Sequence, residues 1–171
     1  MNSNILLTGK PGSGKTTAIK RIIEGLGPSR VNGFWSSEIR KHGKRVGFRI
    51  ETLSGESGIL AHIDFETTYR VGKYGVNIHD IVTIIVPELE SARRAGKLII
   101  IDEIAKMEIY SRLFIQEVRN CLDTRCVIGT LQDKRHPFLD EVRARSDVVL
   151  IELTVLNRDK IPVQVLNLLN N

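Results

Sequence analysis

The chain opens on an unbroken apolar run, Ile5-Leu6-Leu7, and changes to helical spacing from Thr17 to Ile23. A continuous run suits a strand covered on both faces, and the longer period suits a helix with one buried stripe. These patterns predict a strand over 4–8 and a helix over about 15–25. Gly25 and Gly27-Pro28 supply the stop. Strand-like segments then follow over 31–39, 45–53, 58–63 and 74–78, divided by His42-Gly43, Ser54-Gly55 and a polar stretch around Glu66. Short strands with tight turns predict antiparallel pairing. Phe34-Trp35 alternates with polar neighbours and reads as core.

Helical spacing resumes near Asp80 and is clearest from Pro87 to Ala95, where Pro87 suits a first turn and Gly96 a stop. A second buried strand runs from Lys97 to Asp102. The remainder predicts a helix over 111–122, a strand from Arg125 to Gly129 ending at Thr130, a helix over 137–144, a strand over 147–153 and a helix over 161–169. The reading is one α/β domain over 1–171: a mainly parallel sheet flanked by helices, with an antiparallel insertion around 31–78.

Between the first strand and first helix stands Gly9-Lys10-Pro11-Gly12-Ser13-Gly14-Lys15-Thr16, followed by Thr17. This is the G-x-x-x-x-G-K-[ST] phosphate-binding loop in its required strand–loop–helix context. At average residue usage its four fixed positions match by accident in roughly one chain in a hundred of this size. Glycines let backbone N–H groups curl around an anion, and the helix start adds free donors and a positive dipole end. Lys15 is expected on the β- and γ-phosphates and Thr16 on Mg²⁺. The domain therefore reads as a P-loop NTPase fold.

Asp102-Glu103 ends the second buried strand, where ligands of open α/β sheets bind. Asp102 is expected on the metal side and Glu103 on the attacking water. Thr130, at the end of the next strand, is a candidate for the γ-phosphate or the water, and equally an ordinary turn residue. Arg158, in Asn157-Arg158-Asp159, is a candidate for the base or the phosphates, with a structural salt bridge as the alternative. Arg145 is a weaker candidate for a transition-state cation. His42, His62, His79 and His136 show no metal-ligand spacing.

The net charge of +5 and pI near 9.4 are compatible with polyanion binding. The densest basic cluster, Arg40, Lys41, His42, Lys44, Arg45 and Arg49, is expected on a hairpin, as a solvated surface or a nucleic-acid-contacting patch. The start, Met1-Asn2-Ser3-Asn4, has no basic or long apolar region, so no secretion signal is expected. No apolar stretch reaches membrane-spanning length, and Cys121 and Cys126 read as free thiols in a reducing compartment. A cytoplasmic protein is expected.

Across nearly the whole chain the pattern resembles the small P-loop nucleoside-triphosphatases first associated with thermophiles, whose vertebrate member is called cancer-related nucleoside-triphosphatase. The phosphate loop carries part of the resemblance. More specific stretches are Gly33-Phe34-Trp35-Ser36-Ser37-Glu38-Ile39-Arg40, Arg45-Val46-Gly47-Phe48, Val71-Gly72-Lys73-Tyr74-Gly75-Val76, Ile101-Asp102-Glu103-Ile104-Ala105-Lys106-Met107-Glu108 and Asn157-Arg158-Asp159. The resemblance implies hydrolysis of nucleoside triphosphates (ATP, GTP, CTP and UTP) to diphosphates, with Mg²⁺ and broad base tolerance. It implies two nucleotide-binding segments, Gly9 to Thr16 and Leu98-Ile99-Ile100-Ile101-Asp102-Glu103-Ile104-Ala105. Ala105 departs from the family, which usually has glycine there, and Lys73-Tyr74 has no assigned role. A nucleotide or small-metabolite kinase, and a nucleic-acid-dependent switch, are the alternatives.

Overall fold

The computed structural model describes residues 3–170; Met1, Asn2 and Asn171, at the ends of the expected domain, lie outside the described residues. Strand β1 (Asn4–Thr8) passes through the glycine loop into helix α1 (Lys15–Leu26). Ala18, Ile19, Ile22, Ile23 and Leu26 form the buried stripe that makes this segment a helix on a sheet. Complete burial of Ile19 and of Ile22 contributes about 1.5–3 kcal/mol each. Gly27 ends the helix at φ 85° and returns its N–H to the Ile23 carbonyl.

Strands β2 (Val31–Lys41), β3 (Lys44–Thr52), β4 (Ser57–His62), β5 (Arg70–Val71) and β6 (Tyr74–Val76) follow. The two-residue turn between β2 and β3 has positive φ at both positions, 50° at His42 and 76° at Gly43. That geometry matches the twist of a hairpin. The expected strand 74–78 stops at Val76 because Asn77 caps a helix, its side chain accepting the Asp80 N–H at 3.2 Å. The helical stretch then runs through α2 (Ile78–Asp80), a widened turn (Ile81–Ile85) and α3 (Val86–Arg94). Pro87 stands in the first turn of α3, as expected, although the helical stretch as a whole begins earlier, at Ile78. In the turn before Pro87, the Val86 N–H reaches the Ile81 carbonyl five residues back.

The chain continues through β7 (Leu98–Ile104), α4 (Arg112–Asp123), β8 (Val127–Leu131), α5 (Pro137–Ala144), β9 (Val148–Glu152) and α6 (Ile161–Asn170). Among the described residues one sheet joins all the strands, in the order β5-β6-β4-β3-β2-β7-β8-β1-β9. The β2–β7, β7–β8, β8–β1 and β1–β9 pairs are parallel; the others are antiparallel. The expected parallel core with an antiparallel extension is therefore present. Side chains alternate between two covers. Ile5, Leu7 and Ile100 meet α1 and α6, while Leu6, Ile99 and Ile101 lie in the opposite cluster with α3 and α4 residues.

Two features of this topology position the site. Strand β1 sits where the chain order reverses, between the late strands β8 and β9, so the glycine loop opens into the crevice at that switch point. Strand β2 pairs with β7 only as far as Trp35, which lies opposite Asp102. Beyond that pair, Ser36 to Lys41 continue past the core edge on β3 alone. The overshoot stands as a wall beside the crevice.

Candidate active site

The loop after β1 needs glycine at its first position. Gly9 has φ 144°, and a Cβ there would run into the Leu153 carbonyl. At the far end Gly14, φ 102°, precedes α1 with no side-chain cap, and the first turn carries no acid. Helices α4 and α5, by contrast, are capped by Ser111 and His136. The uncapped start leaves first-turn N–H groups directed at the crevice, the arrangement that binds phosphate. Lys15 Nζ meanwhile donates to the Gly9 carbonyl at 3.0 Å, folding the side chain back over the loop.

Across the crevice the end of β7 supplies the acids. Lys15 Nζ lies 3.9 Å from Glu103 Oε1. Asp102 is 1% exposed, and Thr130 of β8 donates its hydroxyl to Asp102 Oδ1 at 2.8 Å. Burial pushes the Asp102 carboxyl above the ordinary aspartate range, opposed by the Thr16 and Thr130 hydroxyls and the charges of Lys15 and Lys20. Burial likewise raises Glu103; Lys15 lowers it and Asp102 adds to the rise. A carboxylate moved upward is a stronger base near neutral pH.

Three buried side-chain polar atoms have no hydrogen-bond partner among the described residues: Ser13 Oγ, Asp102 Oδ2 and Glu108 Oε2. Buried polar groups are nearly always paired, so such exceptions mark function or stored cost. Ser13 belongs to the glycine loop, and Asp102 lies beside Thr16. Carboxylate and hydroxyl oxygens are the hard donors Mg²⁺ takes together with phosphate oxygens and water. The Asp102 and Thr16 oxygens fit such an ion. Glu108 stands behind the acid pair, where burial and the charges of Glu103 and Asp102 push its carboxyl up to about 8.

The cleft between these groups has a volume of about 400 Å³. Its floor is the loop from Pro11 to Thr17 with Asp102 and Glu103; its wall is Ser36, Ser37, Glu38 and Phe48 from the β2–β3 overshoot. These wall residues fall in the stretches that carry the family resemblance, but nothing in the sequence assigns them a role at the site. Strand alternation shows that they share a strand, but not that the strand outruns its parallel neighbour. A shallower depression of about 600 Å³ lies between Asp64–Thr67 and Val76–Ile78, at the far antiparallel end. It is remote from the loop and the acids, and its lining among the described residues includes two acids and no lysine or arginine.

The remaining candidates divide by position. Ile99, Ile100 and Ile101 are wholly buried in the sheet, so the second expected segment reaches the cleft only at Asp102 and Glu103. Thr130 is also fully buried and its hydroxyl is committed to Asp102, so it orients that acid. Arg158 packs beside Gly14 and lines a smaller recess with Thr17 and Arg21. Among the described residues no acid forms the salt bridge considered for it; Asp159 pairs with Arg21 at 2.7 Å instead. Arg145 is held by Asp123 and Asp147 just before Val148, which pairs with Asn4 at the amino-terminal edge of the sheet. That edge is opposite the cleft, so Arg145 is structural.

The family model described as NTPase matches residues 4–166. The chain belongs to this NTPase family. It is 45% identical over 166 residues to the nucleoside-triphosphatase THEP1 of Thermotoga sp. strain RQ2, covering 96% of this chain and 94% of that protein. Among solved structures, THEP1 from Aquifex aeolicus superposes with a TM-score of 0.90 at 41% identity, over 98% of this chain and 99% of that one. A human cancer-related nucleoside triphosphatase superposes with a TM-score of 0.84 at 35% identity, over 98% and 97%. Relatives and structures agree with the resemblance carried by the motif stretches. No helix among the described residues is long and apolar enough to cross a membrane.

Proposed function

We propose that this member of the NTPase family hydrolyses nucleoside triphosphates to diphosphate and phosphate, with Mg²⁺ bound beside the phosphates. The observation that carries this reading is the 3.9 Å approach of Lys15 Nζ to Glu103 Oε1 across the cleft, with Asp102 buried behind. A phosphate-binding cation and a water-directed carboxylate then address the same atoms.

In this mechanism loop N–H groups and Lys15 hold the β- and γ-phosphates. Asp102 and Thr16 would hold the Mg²⁺, which when bound would neutralise charge on the phosphate oxygens. Glu103 orients a water in line with the γ-phosphorus and takes its proton. The new bond joins the water oxygen to that phosphorus, and the bond to the β–γ bridging oxygen breaks. Negative charge gathering on the bridging oxygen is met by Lys15 and the loop amides. Most of the catalysis is positioning and electrostatic stabilisation. Thr130 acts through Asp102 as a positioning residue.

Arg158, beside Gly14 and Thr17, is proposed for the nucleoside end of the ligand. A guanidinium plane stacks on any base without reading its edge, which favours broad acceptance of ATP, GTP, CTP and UTP. Phosphate release should be measured across those four nucleotides with Mg²⁺, with and without nucleoside monophosphates as acceptors. Release from all four, unaffected by acceptors, is expected. Phosphotransfer faster than release would assign the site to a kinase instead.

A further inference from the structure

The β2–β3 wall carries an ion-pair set that the loop and acid chemistry leaves unused. Glu38 lines the cleft together with Lys15 and Glu103. Two guanidinium groups converge on its carboxylate: Arg45 Nη1 lies 2.7 Å from Oε1 and Arg40 Nη2 lies 2.6 Å from Oε2. Arg45 is the more firmly built in. Its Nε donates to the Tyr74 hydroxyl at 2.9 Å, and its guanidinium carbon lies 5.0 Å from the Phe48 ring and 5.6 Å from the Tyr74 ring. Phe48 also lines the cleft. Arg45 is thus bracketed by two cleft-facing side chains and anchored from behind by a mostly buried tyrosine. This gives Tyr74, whose motif had no assigned role, a definite contact.

A carboxylate is a poor wall for a site that receives a triphosphate, because like charges repel. The same carboxylate is a good keeper for a cation. A planar guanidinium fork pairs with carboxylate and phosphate oxygens by the same geometry, so an entering polyphosphate competes with Glu38 for Arg45. Phosphoryl transfer spreads charge over the equatorial γ-oxygens, and an arginine supplied to them carries a large share of the rate. The loop directs Lys15 into the cleft, while its other lysine, Lys10, lines a separate recess with Glu152 and Leu153. Arg145 lies at the opposite edge and Arg158 on the nucleoside side, whereas Arg45 contacts Glu38 and Phe48, the wall residues that line the cleft.

We propose that Arg45 is a transition-state cation supplied by the chain's own β2–β3 wall and held by Glu38 until a triphosphate enters the cleft. The role rests on the hydrolase reading above. The test compares the wild type with Arg45→Ala, Arg45→Lys, Lys44→Ala and Lys15→Ala, measuring kcat, KM, the melting temperature and the binding of nucleoside diphosphate with and without aluminium fluoride. Arg45→Ala is expected to lower kcat roughly 10³-fold with KM within about threefold. It should bind diphosphate normally and fail to tighten when fluoride is added. Arg45→Lys should restore little, because it lacks the fork, while free guanidinium should restore part of the Arg45→Ala turnover. Lys44→Ala, one residue away on the same hairpin, should leave turnover unchanged.

Turnover of Arg45→Ala within about threefold of wild type would overturn the proposal, since a transition-state arginine is worth far more. A loss matched by weakened diphosphate binding or a lowered melting temperature, without guanidinium rescue, would assign Arg45 to the fold. A wild type that releases no phosphate, or a Lys15→Ala variant that still does, would defeat the hydrolase reading itself, and is distinct from either result.

Discussion

Thr130 gives its hydroxyl to Asp102 Oδ1 at 2.8 Å, from the strand that separates the phosphate loop from the acid pair. Both side chains are essentially without solvent contact. The bond fixes one carboxylate oxygen and leaves Oδ2 as the atom without a partner among the described residues. Thr130→Val keeps the shape and removes the donor. The expected result is an Mg²⁺ requirement shifted about 10–100-fold upward, the usual effect of losing a group that orients a metal ligand. Titrating turnover against Mg²⁺ reads it directly, and Thr130→Ser should recover most of the loss.

Glu103 is placed to act on water and not on nucleotide affinity. Glu103→Gln is expected to lower turnover roughly 10²–10⁴-fold while nucleotide binding persists. In the wild type, the acidic limb of the pH–kcat profile should fall above the ordinary glutamate range, because burial and the Asp102 charge raise this carboxyl. Turnover is lost as pH falls and Glu103 takes up its proton. That limb should vanish from the residual activity of Glu103→Gln.

Glu108 yields a stability prediction with the opposite pH sense. Its carboxyl is pushed from 4.5 up to about 8 in the folded protein by burial, with the Glu103 and Asp102 charges adding to the shift. Below 4.5 both folded and unfolded chains hold the proton. Between 4.5 and about 8 the folded chain keeps a proton that the unfolded chain releases, so stability falls as pH rises through that window. The slope is at most about 1.4 kcal/mol per pH unit from this group. Chemical denaturation at several pH values between 5 and 8 should show the decline, and Glu108→Gln should flatten it.

Gly9 tests the backbone side of the site. Gly9→Ala places a Cβ against the Leu153 carbonyl at a φ of 144°, which side-chain-bearing residues rarely adopt. The loop must shift away from Leu153, taking the Gly9 carbonyl that holds Lys15 with it. A loss of nucleotide affinity together with a lowered melting temperature is expected, measured by titration and by thermal unfolding. Gly43→Ala, at the tip of the hairpin with open space around it, should cost stability but leave affinity intact.

What could be read from the chain followed the range of the forces involved. The strand at Ile5-Leu6-Leu7, the helix after Gly14 and the His42-Gly43 turn each express local backbone preferences, and each lies where the pattern predicts. The pattern extends the strand over Asn77 because an isolated asparagine carries no period; only its bond to the Asp80 N–H reveals a cap. The two-residue strand β5 is too short to show alternation. At the site, loop and acids were legible because their chemistry dictates residue types at fixed spacing. The Thr130–Asp102 bond, the Glu38 wall and the Tyr74–Arg45 contact were not, because each joins residues 28, 29 or more positions apart, or depends on how far one strand outruns another.

The most direct test of convergence between loop and acids is nucleotide trapping by Glu103→Gln with Mg²⁺. The variant should bind a radiolabelled nucleoside triphosphate at near wild-type affinity and release it uncleaved, while the double variant with Lys15→Ala binds little. Rapid cleavage by Glu103→Gln, or triphosphate binding unaffected by the loss of Lys15, would show that the two regions do not share one ligand.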